Sequence, residues 1–292
     1  MKFALIDAER TKVNVSVLCR ALGVSRAGYY AWRRRGPSKR ECEDARLRVT
    51  IRAIFDRSHR SYGSPRIYDE LKENGLTIGR NRVIRLMQEQ ELVARPKKRW
   101  RKCEAVPEEQ QVVAANILDR QFEADAPNRR WVSDTTELRA GGLRMFFAAV
   151  MDLYSRYIVG WSVALVNDRH LVERALKMAI KRRCPNKGLL AHSDQGCTYT
   201  SEDYQRVLKK HGIVCSMSRR GECHDNAAME SWFSTLKFEL GEIFESPAEA
   251  KAELFDYVEV FYNQERRHSF TGGKSPAAYE RALMEPRLAL AA

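Results

Sequence analysis

The sequence predicts an α/β core, a mixed five-stranded sheet with helices, preceded by all-α helix-turn-helix units. Three observations lead there. Helical periodicity with N-cap signals dominates as far as about residue 95, whereas β-branched and aromatic runs take over from about Asn128. The net charge of +13 is divided unevenly: residues 1–103 carry 26 Lys+Arg and 11 Asp+Glu, a net of +15, while residues 104–292 carry 25 and 27, a net of −2. A basic half joined to a near-neutral half is the pattern of a nucleic-acid-binding arm attached to something else. Finally, 292 residues, 44% of them hydrophobic, suffice for two or three domains with one well-developed core.

The first unit, residues 1–36, centres on Val15–Arg35. A helix leads to a turn at Gly23, and Ser25 N-caps a second helix that presents Arg26, Arg33 and Arg34 among Tyr29, Tyr30 and Trp32. This is a helix-turn-helix pattern, with a plain helical hairpin as the alternative. The second unit, residues 37–94, has Leu47, Ile51, Ile54 and Phe55 at helical spacing. Tyr62-Gly63-Ser64-Pro65 forms a turn into a helix that stops at Gly75, and a further helix from about Arg80 to Gln90 offers Arg80, Arg82 and Arg85 as DNA contacts. Residues 95–127 are a linker. Its start, Arg95-Pro96-Lys97-Lys98-Arg99-Trp100-Arg101-Lys102, holds six cations in eight residues, so Lys97, Lys98 and Arg99 are expected to lie against phosphates.

From residue 128 to 292 the pattern predicts three strands (Trp131–Arg139, Met145–Asp152, Tyr157–Leu165), the first two joined at Gly141-Gly142. A helix over His170–Arg183, a buried strand Leu189–His192, a helix Ser201–His211, a strand Ile213–Met217 and another helix follow. Three antiparallel strands followed by α/β crossovers describe a ribonuclease H-like core with a C-terminal helical tail.

In this order Asp134 lies on the first strand, Asp194 ends the fourth, and Glu230 heads the helix after the fifth, with 35 residues between it and Asp194. The fold can bring these acids to one edge of the sheet. Carboxylate oxygens suit Mg²⁺, a hard ion that keeps several waters, and Mn²⁺ is expected to substitute. Two such ions activate a water or 3′-hydroxyl for in-line attack on a phosphodiester. Glu230, Ser234 and Lys237 share a helix face, so Lys237 either meets phosphate beside the acids or is a solvated lysine. His192 is either a base or substrate contact or a hydrogen-bonded structural histidine. Asp152 is expected to fix a turn, and Asp225 to cap the helix.

Trp131-Val132-Ser133-Asp134-Thr135-Thr136, His192-Ser193-Asp194-Gln195-Gly196 and Asp225-Asn226-Ala227-Ala228-Met229-Glu230, with Lys237 and Glu239 after it, resemble the integrase core of DDE transposases. They are most similar to the OrfB type found in bacterial insertion sequences, whose cores resemble retroviral integrases. Tyr62-Gly63-Ser64-Pro65-Arg66-Ile67 and the tail Tyr262-Asn263-Gln264-Glu265-Arg266-Arg267-His268, then Ser275-Pro276, extend the likeness over about residues 42–284. The resemblance implies Mg²⁺-dependent 3′-end cleavage and strand transfer by Asp134, Asp194 and Glu230. It also implies double-stranded DNA partners (terminal inverted repeats and target), a homo-oligomer on DNA, and a further DNA-binding segment from an upstream overlapping reading frame. The N-terminal His/Cys zinc unit of retroviral integrases has no counterpart, because Cys19, Cys42 and His59 are isolated.

Two other functions compete: a catalytically inactive DNA-binding regulator, and a ribonuclease H-like nuclease without strand transfer. The presence of all three acids argues against the first, and two double-stranded-DNA-reading units against the second. No apolar run approaches the roughly 20 residues needed to span a bilayer, the start lacks a signal-peptide pattern, and seven cysteines without a C-x-x-C pair read as free thiols. The expected location is the bacterial cytoplasm, associated with the nucleoid when DNA is bound.

Overall fold

A computed structural model describes residues 2–95, 114–219 and 222–289. They form two compact units, Met1–Phe55 with Ile67–Val93, and Asp56–Arg66 with Ala94–Ala292. Lys97, Lys98 and Arg99, expected to contact DNA, lie outside the described residues.

The first unit is helical: α1 (Lys2–Glu9), α2 (Val15–Ala21), α3 (Arg26–Arg34), then α4 (Lys39–Arg57), α5 (Ser64–Glu73) and α6 (Arg80–Glu89), with α4 and α5 crossing the division between units. Helices α2 and α3 form as their capping residues dictate. Gly23 takes φ +63° in the turn, and Ser25 accepts a hydrogen bond from the Gly28 amide at 3.0 Å. Helix α1, which no periodicity announced, completes the small core, burying Ile6 against Cys19 and Tyr29. Around α4–α6, Ile51, Ile67, Leu71, Val83 and Leu86 are fully buried.

The second unit is a sheet with helices on both faces. Its elements are β1 (Arg130–Ala140), β2 (Leu143–Asp152), β3 (Ile158–Ala164), α7 (Arg169–Arg183), β4 (Leu190–Ser193), α8 (Cys197–Thr200), α9 (Glu202–Lys210), β5 (Val214–Met217), α10 (Ala227–Glu239), β6 (Ile243–Phe244), α11 (Pro247–Phe255) and α12 (Pro276–Ala289). Strand order is β3-β2-β1-β4-β5, with β1, β2 and β3 antiparallel and β4 and β5 parallel to β1. The β1–β2 hairpin turns at Gly141 and Gly142, both at positive φ, as a two-residue hairpin loop requires. The ribonuclease H-like arrangement expected from the element order is therefore present. One strand is added to the expected five: two-residue β6 pairs with Arg139 and Ala140 at the far end of β1, which β4 does not reach.

Alternation along β1 divides the core. Val132, Leu138 and Ala140 face the layer of α10 and α11, whereas Trp131 faces α7 and α9. Gly160 brings β3 against α7 so closely that a Cβ there would stand 2.3 Å from the Ala175 carbonyl oxygen. At the start of edge strand β3, the Asn263 side chain accepts from the Ile158 amide at 2.9 Å and donates to its carbonyl at 3.1 Å. Asn263 follows a stretch of wide π-helical turns, Asp256–Tyr262, that continues α11. The segment Asp56–Arg66 is anchored to the same tail. Arg57 donates to Glu265 at 2.6 Å, and the Tyr62 hydroxyl accepts from the Arg267 amide at 2.8 Å.

Candidate active site

Asp134 lies two residues past Val132, which pairs with His192 on parallel β4; Asp194, just past β4, therefore arrives level with it. Beside Asp134, β1 has left β4 and not yet met β6, so that edge of the strand is open. By alternation the Asp134 side chain is on the α10 face. It is held by its own strand, its Oδ1 accepting from the Thr135 amide at 2.7 Å, and Asp194 Oδ1 accepts from the Gly196 amide at 3.0 Å. A Cβ at Gly196 would stand 3.0 Å from that same carboxylate oxygen, so glycine leaves the acid room.

Glu230 occupies the first turn of α10 and is exposed. That turn is tied to β1, because the buried Asn226 amide donates to the Ser133 carbonyl at 3.1 Å. Burial first, then the charge of Asp194, and further that of Glu230 push the Asp134 carboxyl well above the usual carboxylate range, against the Thr135 hydrogen bond. Burial likewise raises Asp194. The three acids are thus brought into one electrostatic neighbourhood. Among the described residues, no three His, Cys, Asp or Glu side chains meet closely enough to hold a metal ion. The donor set nevertheless fits a hard divalent cation: all three groups are carboxylates, and a positive charge would relieve the repulsion that lifts Asp134. Tyr199 adds a buried hydroxyl without a hydrogen-bond partner among the described residues, close enough for Asp134 and Asp194 to raise its pKa after burial has done so.

His192 is a structural histidine. It is fully buried with Nδ1 2.9 Å from Ser216 Oγ and Nε2 3.1 Å from Ser218 Oγ, and burial pushes its pKa down to about 4. Asp152 fixes its turn, accepting from the amides of Asn128 at 2.7 Å and Tyr154 at 3.0 Å. Asp225 corrects the sequence reading. It does not cap α10, whose N-cap is Asn226 without a side-chain cap bond. Instead it is buried and accepts from Arg219 Nε and Nη2 at 2.9 Å each, Arg120 Nε at 2.7 Å and Asn116 Nδ2 at 2.9 Å. Arg219 foremost holds its carboxyl well below the usual range. Asn116 and Arg120 come from irregular chain that no periodicity singled out, and Asn226 lay inside a quoted motif without an assigned role.

The cations named from sequence sit in varied surroundings. Lys237 is not a solvated lysine; its side chain is 13% exposed, with Nζ 3.4 Å from Glu242. Arg82 Nε and Arg85 Nη2 each reach the buried Asp44 at 2.7 Å, and Arg80 stacks over Tyr68. Arg33 is 3.6 Å from Asp7, while Arg26 and Arg34 are exposed.

A family profile described as "Integrase core domain" matches residues 124–223, another with the same description matches 230–283, and one described as "HTH-like domain" matches 41–100. The chain is 38% identical over 264 residues to "Insertion element IS600 uncharacterized 31 kDa protein" of Shigella sonnei, covering 90% of this chain and 97% of that protein. It is 36% identical over 288 residues to "Transposase InsF for insertion sequence IS3A" of Escherichia coli K12, covering 96% and 98% respectively. Among solved structures, the catalytic core domain of BIV integrase is 17% identical at a TM-score of 0.41, over 55% of this chain and 99% of that one.

Proposed function

The chain belongs to the transposase family of IS3-type insertion elements, and from that premise we propose that it cleaves DNA at the 3′ ends of its element and transfers them to target DNA. The observation that carries the reading is the half-buried Asp134 at the open edge of β1, its carboxyl raised by desolvation first and then by the charges of Asp194 and Glu230. In this reading Asp134, Asp194 and Glu230 are the catalytic acids and would hold Mg²⁺ or Mn²⁺. When bound, the metal supplies Lewis-acid activation of the attacking hydroxyl and charge for the leaving oxygen.

The chain's own residues prepare that chemistry. Asn226 sets the Glu230 helix against the Asp134 strand. Neutral His192, bonded to two serines of the β5 segment, holds the strand end from which Asp194 projects. Asp225 gathers Arg120, Arg219 and Asn116, pinning the chain that leads from β5 into α10. Lys237, on the last turn of α10, contributes a phosphate contact by exchanging Glu242 for DNA.

The helical units 1–36 and 37–94 and the linker 95–127 supply the terminal-repeat address, with Arg26, Arg33, Arg34, Arg80, Arg82, Arg85, Lys97, Lys98 and Arg99 as candidate contacts. The core spans 128–292. A homo-oligomer on double-stranded DNA, joined by the product of an upstream reading frame, and a cytoplasmic, nucleoid-associated location complete the proposal. None of the described helices is long and apolar enough to cross a membrane.

The deciding experiment incubates the purified chain with labelled element ends, a target plasmid and Mg²⁺. Joined product supports the proposal. Nicks alone identify a nuclease, and a shifted band without cleavage identifies a DNA-binding regulator.

A further inference from the structure

Arg156 is a buried cation without a carboxylate partner among the described residues. It lies in the turn between β2 and β3, is only 9% exposed, and holds φ +64°, a left-handed conformation that non-glycine residues keep only where their surroundings impose it. Its Nη2 donates to the Phe122 carbonyl at 2.9 Å, and its guanidinium stacks 4.0 Å from the centroid of the Phe270 ring. No Asp or Glu among the described residues pairs with it. Glu123 and Asp152 act on it only through space, and burial lowers its pKa. Nearby Arg266 shows the contrast, being neutralised by two 2.7 Å bonds to Glu239. A buried charge left uncompensated is costly, and an anion would relieve that cost.

Arg156 lines a cavity of about 290 Å³ with Phe122, Trp232, Phe270, His268 and Ser231. Burial drives His268 down to a pKa of about 4, so it is neutral at pH 7, and the cavity presents one net positive charge within aromatic walls. Trp232 is almost fully buried, and its Nε1–H has no hydrogen-bond partner among the described residues. The cavity runs along α10 from Ala227 to Thr235, the stretch containing Glu230. It also reaches Met151, which pairs with Val132 two residues before Asp134.

We propose that this cavity binds one unpaired nucleotide of a DNA strand, with its phosphodiester on Arg156 and its base against the rings of Phe270 and Phe122. The proposal rests on the transposase reading and names a part of the substrate that the acids do not touch. A phosphodiester carries one negative charge, matching the one unpaired cation, and bidentate guanidinium–phosphate bonding uses the donors that Phe122 leaves free. Aromatic faces hold any base, as required of a site that grips strand rather than sequence. The volume is at the small end of ligand pockets, roughly 300–1,000 Å³, which admits a splayed nucleotide and excludes a duplex.

The test measures binding of a trinucleotide carrying 2-aminopurine to the full chain, without metal or target DNA. An abasic trinucleotide and inorganic phosphate serve as competitors. Wild type should bind and quench the fluorophore. Phe270→Ala should weaken binding about tenfold, within the range of one base stack. Phe270 is 37% exposed, so this variant should fold even if Arg156→Gln does not. Arg156→Gln, where folded, should weaken binding further and flatten its salt dependence. No binding by wild type, equal competition by the abasic strand or by phosphate, or unchanged affinity in Phe270→Ala overturns the site. Trinucleotide binding that persists while wild type joins no DNA ends instead overturns the catalytic reading, so the two failures are separable.

Discussion

The side-chain amide of Asn226 and the main-chain carbonyl of Ser133 are hydrogen-bonded at 3.1 Å in the protein interior. That bond joins the head of the helix carrying Glu230 to the strand residue next to Asp134. Asn226→Ala should leave the buried carbonyl unsatisfied and cost about 1–3 kcal/mol, read as a lower denaturation midpoint. DNA joining should fall more than stability alone explains. Full joining by a folded Asn226→Ala protein would show that the acids are set by other contacts.

Asp134→Asn, Asp194→Asn and Glu230→Gln should each abolish cleavage and joining while DNA binding persists. Asp134→Asn should also melt higher than wild type in chelator, because the amide keeps the shape and removes a charge that burial and Asp194 disfavour. Each kcal/mol so gained corresponds to about 2–4 °C in a domain of this size. Adding Mg²⁺ or Mn²⁺ should stabilise wild type more than the variants. An unchanged metal shift together with normal joining in Glu230→Gln would remove Glu230 from the site.

His268 predicts an acid limb in stability. Its folded pKa is pushed down to about 4 from an ordinary 6.5 by burial first, then by Arg266, Arg156 and Arg66, and its Nδ1 accepts from the Phe270 amide. Between those pH values the unfolded chain binds more protons, so stability falls as pH drops through the window. His268→Asn keeps an acceptor and cannot titrate, so relative to wild type it should gain up to about 3 kcal/mol between pH 7 and pH 4. Asp152, raised to about 6 by burial, works in the opposite direction over an overlapping window. The comparison must therefore be between variant and wild type at each pH. Parallel pH curves for the two proteins would refute the assignment.

Arg82 and Arg34 should behave differently although both were named as DNA contacts. Arg82 satisfies the buried Asp44, so Arg82→Ala should lower the melting temperature. Arg34 is exposed on α3, and Arg34→Ala should leave melting unchanged while weakening DNA binding. It should also reduce the slope of log K against log[salt] by about 0.9 for one lost phosphate contact. Equal melting of both variants would mean that Asp44 is satisfied without Arg82.

The element order, the hairpin at Gly141-Gly142 and the Ser25 cap were legible because each depends on neighbours within a few residues, and so was the turn-fixing role of Asp152. The roles of Asp225, Arg120 and Asn116 were not. Their bonds span more than a hundred residues from Asp225, and irregular chain carries no periodic signal. Two-residue β6 is too short to show alternation, and the apolar residues of helix α1 run consecutively from Phe3 to Ile6, so they mark no single face.

The sequence by itself determined the family, the ribonuclease H-like order of strands and helices, and which three acids to consider, because motif spacing and side-chain periodicity are local properties. Only the tertiary structure decided the rest. It placed Asp134 where β1 lies between its partners β4 and β6, satisfied Arg82 with Asp44, buried His192 between two serines and left Arg156 buried without a counter-ion among the described residues. Each of these depends on which distant groups share a low-dielectric interior. A charge there is governed by the partners that folding brings to it, not by its neighbours in the chain.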